Sequence, residues 1–255
     1  MPFRRVIASL LLRKDRLVKG VRFSAYRDAG DPRATVRMLA AQGIDEIALA
    51  DIDAASEKRG PDIERISAVA TDCNVPLTVG GGIVSTAIAA SCLERGADKI
   101  LVTTGALDRP ALVDELARHF GSQAVVVGVD VIAEDGQIRL YDHRTSTQRP
   151  ERAWTDWVSE TVARGAGEIR ICAVDREGTR KGLGLDLYDV VAGLVDVPVV
   201  IEGGAGTLSH LDLAFAHGVE ALGIGTMLTF SDNNIFKIKE YLASRGHAVR
   251  RIGKG

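Results

Sequence analysis

The octet Val75-Pro76-Leu77-Thr78-Val79-Gly80-Gly81-Gly82 returns as Val197-Pro198-Val199-Val200-Ile201-Glu202-Gly203-Gly204, 122 residues further along a chain of 255. Each copy is a short apolar run that ends on glycines. The same interval of 122 separates Glu46-Ile47 from Glu168-Ile169, Gly96 from Gly218 and Thr104 from Thr226. A period near half the length implies two homologous halves, about residues 1–120 and 121–245.

Working outward, runs of Val, Ile, Leu and Ala lie at 5–12, 46–52, 76–80, 99–103, 124–131, 168–174, 198–202 and 221–225. They lack polar alternation, as expected of parallel strands buried on both faces. Segments of helical period follow them at 32–42, 61–72, 85–95, 109–120, 151–164, 186–195, 208–217 and 234–245. Asp31-Pro32 and Gly60-Pro61 place proline at a first turn, and Asp108 precedes Pro110. Four strand–helix units per half predict a single α/β domain, a (β/α)8 TIM barrel, whose closure leaves no exposed edge. An open doubly wound sheet would need GxGxxG after the first strand. Instead, Leu10-Leu11-Leu12 runs into Arg13, Lys14 and Asp15.

Composition narrows the function. The 32 Lys+Arg and 34 Asp+Glu leave a net charge of −2, so no overall field gathers nucleic acid or an anionic membrane. With 26% charged residues interrupting 46% hydrophobic ones, no apolar run reaches a membrane span. Cys73, Cys92 and Cys172 show no CxxC spacing, which argues against a disulfide framework and a structural zinc site. No metal or cofactor is expected, and a start without a secretory signal points to the cytoplasm.

In a TIM barrel, chemistry sits at the C-terminal ends of the strands. Gly80-Gly81-Gly82 with Thr103-Thr104 in one half, and Gly178-Thr179, Gly203-Gly204 and Gly225-Thr226 in the other, offer backbone N–H groups and hydroxyls to anions. One such motif is as easily a turn. Two copies at a matched interval suggest a ligand with two phosphates. Asp51 and Asp130 end strands two and five, where a carboxylate serves as general acid or base, or simply caps a loop. The first-half equivalent of Asp130 is Leu11, so the second carboxylate that the repeat invites is absent. At the opposite ends, Arg5, Glu46, Lys99 and Glu168 each begin an apolar strand. These charges form either a solvated barrel base or a salt-bridged ring that closes it.

With Gly30-Asp31-Pro32, Asp51-Ile52-Asp53, Val79-Gly80-Gly81-Gly82-Ile83, Arg95-Gly96-Ala97-Asp98-Lys99, Arg164-Gly165-Ala166-Gly167-Glu168-Ile169 and Gly203-Gly204-Ala205-Gly206, the chain resembles the cyclase subunit of imidazole glycerol phosphate synthase from about residue 4 to 250. The resemblance implies a barrel that receives ammonia from a glutaminase docked on its base and uses it at the top on a substrate with two phosphates. It implies that Arg5, Glu46, Lys99 and Glu168 gate an ammonia tunnel and that Asp98 and Gln123 face the glutaminase. It also implies site roles for Lys19, Asp51, Asp130, Gly82, Thr104, Gly178, Gly204 and Thr226. The top face departs from the family at Leu11, Ser9, Thr103, Glu177 and Glu202, where the family carries aspartate, cysteine, asparagine, aspartate and a small polar residue. Glu202 is expected to repel phosphate at the second anion site.

A divergent branch associated with surface polysaccharides is similar in its Leu-rich first strand, in Asp51-Ile52-Asp53-Ala54 and in Gly60-Pro61-Asp62. It implies ammonia supply to a third protein that converts an N-acetyl group to an acetamidino group. That reading is favoured over the histidine-pathway cyclase, and a scaffold without catalysis is the third.

Overall fold

The computed structural model describes residues 3–251. The first half opens with β1 (Arg5–Arg13), β2 (Arg16–Val21), β3 (Ser24–Gly30) and α1 (Pro32–Ala41), followed by β4 (Glu46–Asp51) and α2 (Ile63–Thr71). It continues through β5 (Leu77–Gly80), α3 (Thr86–Glu94), β6 (Lys99–Val102), α4 (Thr104–Asp108) and α5 (Ala111–Phe120). The second half holds β7 (Val125–Glu134), β8 (Gln137–Asp142), β9 (Thr147–Arg149), α6 (Trp154–Ala163), β10 (Glu168–Ala173) and α7 (Leu185–Ala192). It ends with β11 (Val199–Glu202), α8 (Leu208–Ala216), β12 (Ala221–Ile224), α9 (Thr226–Thr229) and α10 (Ile235–Ser244).

Strands β1, β4, β5, β6, β7, β10, β11 and β12 pair in parallel in that order, and β12 returns to β1 through Arg5↔Ala221 to Ala8↔Ile224. The sheet is therefore closed, with helices between consecutive barrel strands, as the sequence predicts. Side chains alternate across it. One parity packs outward against the helices: Val6, Ala8, Leu10 and Leu12 of β1, and Val125, Val127, Val129 and Val131 of β7, join the main core. The other parity faces the barrel axis, where Ile7, Ala48, Val200 and Ala221 form a separate small cluster.

Two features lie outside the sequence reading. Both β1 and β7 run past the barrel rim into antiparallel additions, β2–β3 and β8–β9, so that two hairpins rise from strands one and five. The chain also inserts α4 and α9 straight after β6 and β12. Helix starts follow their caps. Asp31 accepts from Ala34 N at 2.8 Å with Pro32 just inside α1, as expected. Pro61 is not in the first turn of α2, because Asp62 takes the capping position and accepts from Arg65 N at 3.1 Å.

Leu49 is 2% exposed on the outward face of β4. Leu49→Ala is expected to cost about 2–5 kcal/mol through lost burial and a residual cavity. Urea unfolding checks this through a lower midpoint at unchanged slope.

Candidate active site

A cavity of about 280 Å³, open at its mouth, lies at the C-terminal end of the barrel. It gathers Lys19, Asp51, Gly82, Thr103, Thr104 and Asp130 of the residues singled out in the sequence. Gly178, Thr179, Gly204, Gly225 and Thr226 are not among its lining residues. Instead Gly178 packs under the Gly20 carbonyl, and a Cβ at Gly225 would stand 2.6 Å from Lys19 Nζ.

The matched glycines are required by the chain itself. Gly81 and Gly203 have φ of +107° and +97°, and a Cβ on either would collide with the carbonyl oxygen of Asp51 or Ala173. Asp51 and Ala173 are themselves 122 apart, so the same crossing of loop over strand is built twice. Thr104 and Thr226 open α4 and α9 in matched places, and the buried Thr226 Oγ1 has no partner among the described residues.

Register places Leu11 as the sequence does. Leu11 pairs with Ala50 and Asp130 with Cys172, and Ala50 and Cys172 are repeat mates. Asp51 is buried and already engaged: Arg59 Nη1 donates to its Oδ2 at 2.6 Å, and the N–H groups of Asp62 and Asp53 donate at 3.2 and 3.3 Å. This ties the loop after β4 to the rim. Lys19, at 5% exposure, comes from the hairpin strand β2 and is ion-paired with Glu177.

The floor of the cavity holds a pair that the sequence reading missed. Arg170, midway along β10, is ion-paired with Glu202 and donates to Ser9 Oγ at 2.7 Å. Burial by itself would push the Glu202 carboxyl up, but Arg170 outweighs it and holds it below the usual value. The expectation that Glu202 repels phosphate is therefore corrected: its charge is spent on Arg170. A charged residue inside the run Ile169-Arg170-Ile171 was the available signal, since nothing but a buried partner permits it there.

A second missed residue is His143, in the turn between β8 and β9, whose Nδ1 lies 3.6 Å from Asp130 Oδ2. On either side of it the turn is pinned. Asp142 accepts from Arg144 N and Nε, both at 3.0 Å, and from Arg149 Nη1 at 3.3 Å. Arg144 and Arg149 also bind Asp108 at the end of α4. Hydrogen bonds from Arg144 hold the Asp142 carboxyl down to about 2.

At the other end of the barrel the four predicted charges alternate in a closed ring. Arg5 Nη1 lies 2.6 Å from Glu46 Oε1 and 2.9 Å from Glu168 Oε2, and Lys99 Nζ lies 3.1 and 3.3 Å from the same two carboxylates. Burial pushes Glu46 up, yet Arg5 and Lys99 together hold it below its ordinary value. Asp98 and Gln123 are exposed at this end. Asp98 Oδ2 is also committed to Leu77 N at 2.8 Å, and Gln123 Nε2 donates to the Phe120 carbonyl at 3.3 Å.

Among the described residues there is no cluster that could hold a metal ion, and no helix is long and apolar enough to cross a membrane. Two outcomes follow from the buried charges. Arg170→Met removes the ion-pair partner of buried Glu202 and should cost about 3–5 kcal/mol, whereas Arg170→Met with Glu202→Leu should recover most of it, as measured by urea unfolding. Asp142 is depressed in the folded state, so its contribution is present above about pH 4 and is lost as pH falls towards 2. The stability gap between the wild type and Asp142→Asn should therefore narrow over that interval.

The family model described as "Histidine biosynthesis protein" matches residues 5–233. The imidazole glycerol phosphate synthase subunit HisF of a Thermotoga strain is 37% identical over 250 residues, 98% of each chain. The subunit of the same name from Thermococcus gammatolerans is 38% identical over 247 residues, covering 97% of this chain and 98% of that protein. That from Gluconacetobacter diazotrophicus is 41% identical over 249 residues, covering 96% and 95%. Length, closed fold and identity across nearly the whole chain agree, and the chain belongs to the histidine biosynthesis protein family that these HisF subunits represent.

Proposed function

We propose that this chain is the ammonia-using, cyclase-type subunit of a glutamine-dependent synthase, acting at the top of its barrel on a small substrate with two phosphates. The observation that carries this is the pairing, on one axis, of a closed charge ring at the base with a carboxylate-bearing cavity at the mouth. In this reading a glutaminase docks around Asp98 and Gln123, and the ring of Arg5, Glu46, Lys99 and Glu168 admits ammonia. Gly82, Thr103 and Thr104 hold one phosphate; Gly178, Thr179, Gly204, Gly225 and Thr226 hold the other. Asp130 handles protons, Lys19, held by Glu177, is a hydrogen-bond donor near the reacting end, and Asp51 holds the rim through Arg59.

The named relatives, imidazole glycerol phosphate synthase subunits, support the cyclase reading. A second reading is favoured by two local observations: Leu11 cannot transfer a proton, and Arg170 with Glu202 fills the floor of the cavity. In it the barrel passes ammonia to a third protein that forms an acetamidino sugar for a surface polysaccharide.

Turnover of the histidine-pathway bisphosphate with free ammonium separates the two. The cyclase reading expects product at a rate below about 1 per second, raised at least tenfold by Leu11→Asp, because one positioned acid–base group is worth about 10²–10⁴ in rate. No product from either protein sinks it and leaves the second reading. With the glutaminase present, Lys99→Ala should lower product formed per glutamine consumed while the ammonium-driven rate holds. Equal loss from both nitrogen sources would show that the ring only holds the barrel together.

A further inference from the structure

His143, a titratable side chain of the cavity, has no part in the roles assigned above. His143 is about a quarter exposed, and among the described residues its one polar contact is with Asp130, at 3.6 Å from Nδ1. Its position does not depend on its own bonds. The neighbours on each side, Asp142 and Arg144, are locked to each other, and through Asp108 to the end of α4, so the turn presents the ring over Asp130 in a fixed place. Leu11, where the pseudo-symmetry would put a second carboxylate, lines the same cavity and carries no proton.

We propose that His143 and Asp130 are the acid–base pair of this cavity, with His143 carrying the proton for which Leu11 offers no group. This role presupposes the ammonia-using synthase reading. The Asp130 carboxylate, 3.6 Å from Nδ1, favours the tautomer with its proton on Nδ1 and leaves Nε2 free to accept. As ammonia adds to a substrate carbonyl, the C–N bond forms and the C=O π bond breaks; Nε2 takes one proton from the adding nitrogen, and the imidazolium so formed is stabilised by the Asp130 carboxylate. The same proton passes to the former carbonyl oxygen, giving the carbinolamine, so none is consumed and no further reactant is needed. Imidazole, with an ordinary pKa of about 6.5, both takes and gives a proton near neutrality.

The charges around the ring favour this. Asp142 and Arg144 on its own turn compensate each other, as do Lys19 from β2 and Glu177 from the loop after β10. Tyr26 on β3 is held neutral, with burial raising its pKa. Asp130 is thus the uncompensated charge that faces the imidazole.

Two measurements on the intact chain test the pair. In nitrogen NMR, with the His143 signals among the five histidines assigned from their loss in His143→Gln, Asp130→Asn should shift the His143 tautomer away from Nδ1–H. An unchanged tautomer overturns the pair. In turnover of the bisphosphate with ammonium, His143→Gln should lower kcat about 10²-fold or more at little-changed KM and abolish the acidic limb of the kcat–pH profile. Retained kcat with the limb intact overturns it equally. If the wild type forms no product, the cyclase reading fails by itself, and the NMR tautomer measurement alone decides whether the pair stands.

Discussion

Hydrogen bonding between the first and last barrel strands is the constraint on which the rest depends. Arg5↔Ala221 to Ala8↔Ile224 fix β1 beside β12, and this closure decides which residues look inward. A slip of one residue would exchange Arg5, Ile7 and Ser9 for Val6, Ala8 and Leu10 along the axis, burying the charge ring against helices and turning core aliphatics into the bore. The outward face prevents this, because Val6, Ala8, Leu10 and Leu12 belong to the main core. Burial on the outside thus sets the register, and the register delivers the chemistry to the inside.

Along the axis the interior is stacked with compensated charge: the ring at the base, Arg170 with Glu202 at the floor of the cavity, and Lys19 with Glu177 at its rim. Buried ion pairs of this kind seldom stabilise a fold more than apolar residues of equal volume would. The thin layer of Ile7, Ala48, Val200 and Ala221 shows that this bore accepts an apolar filling. Charge inside the barrel is therefore better explained by what the axis does than by what holds it together.

Much of this was legible in the sequence. The interval of 122 residues, the eight apolar runs and the four charges that begin them translate directly into strands, closure and ring, because each is a matter of period and parity. What escaped is of three kinds. Asp135-Gly136 is a hairpin signal, and both residues adopt the positive φ that a tight turn between β7 and β8 needs, but the apolar run ending at Val131 drew attention away from it. Arg170 and Glu202 are 32 residues apart, and only the closed sheet shows that they touch. His143 sits in a turn with no periodicity at all, and its contact with Asp130 is made by a hairpin that was itself unseen.

The duplication also has a geometrical cost. Arg170 and Glu202 are the repeat mates of Ala48 and Gly80, and Gly223 is the mate of Leu101. In one half Leu101 fills the space beside Gly80, lying 3.1 Å from where a Cβ would be; in the other, Gly223 vacates that space, and a Cβ there would stand 2.8 Å from the Glu202 Cβ. Bulk has been exchanged between strands, in opposite directions in the two halves. A bore of fixed width has room for one large ion pair and not for its image, so a barrel made from two copies of one half must lose its symmetry where it acquires such a pair. The two halves are consequently no longer interchangeable at the floor: one places Leu101 beside Gly80, the other Glu202 beside Gly223.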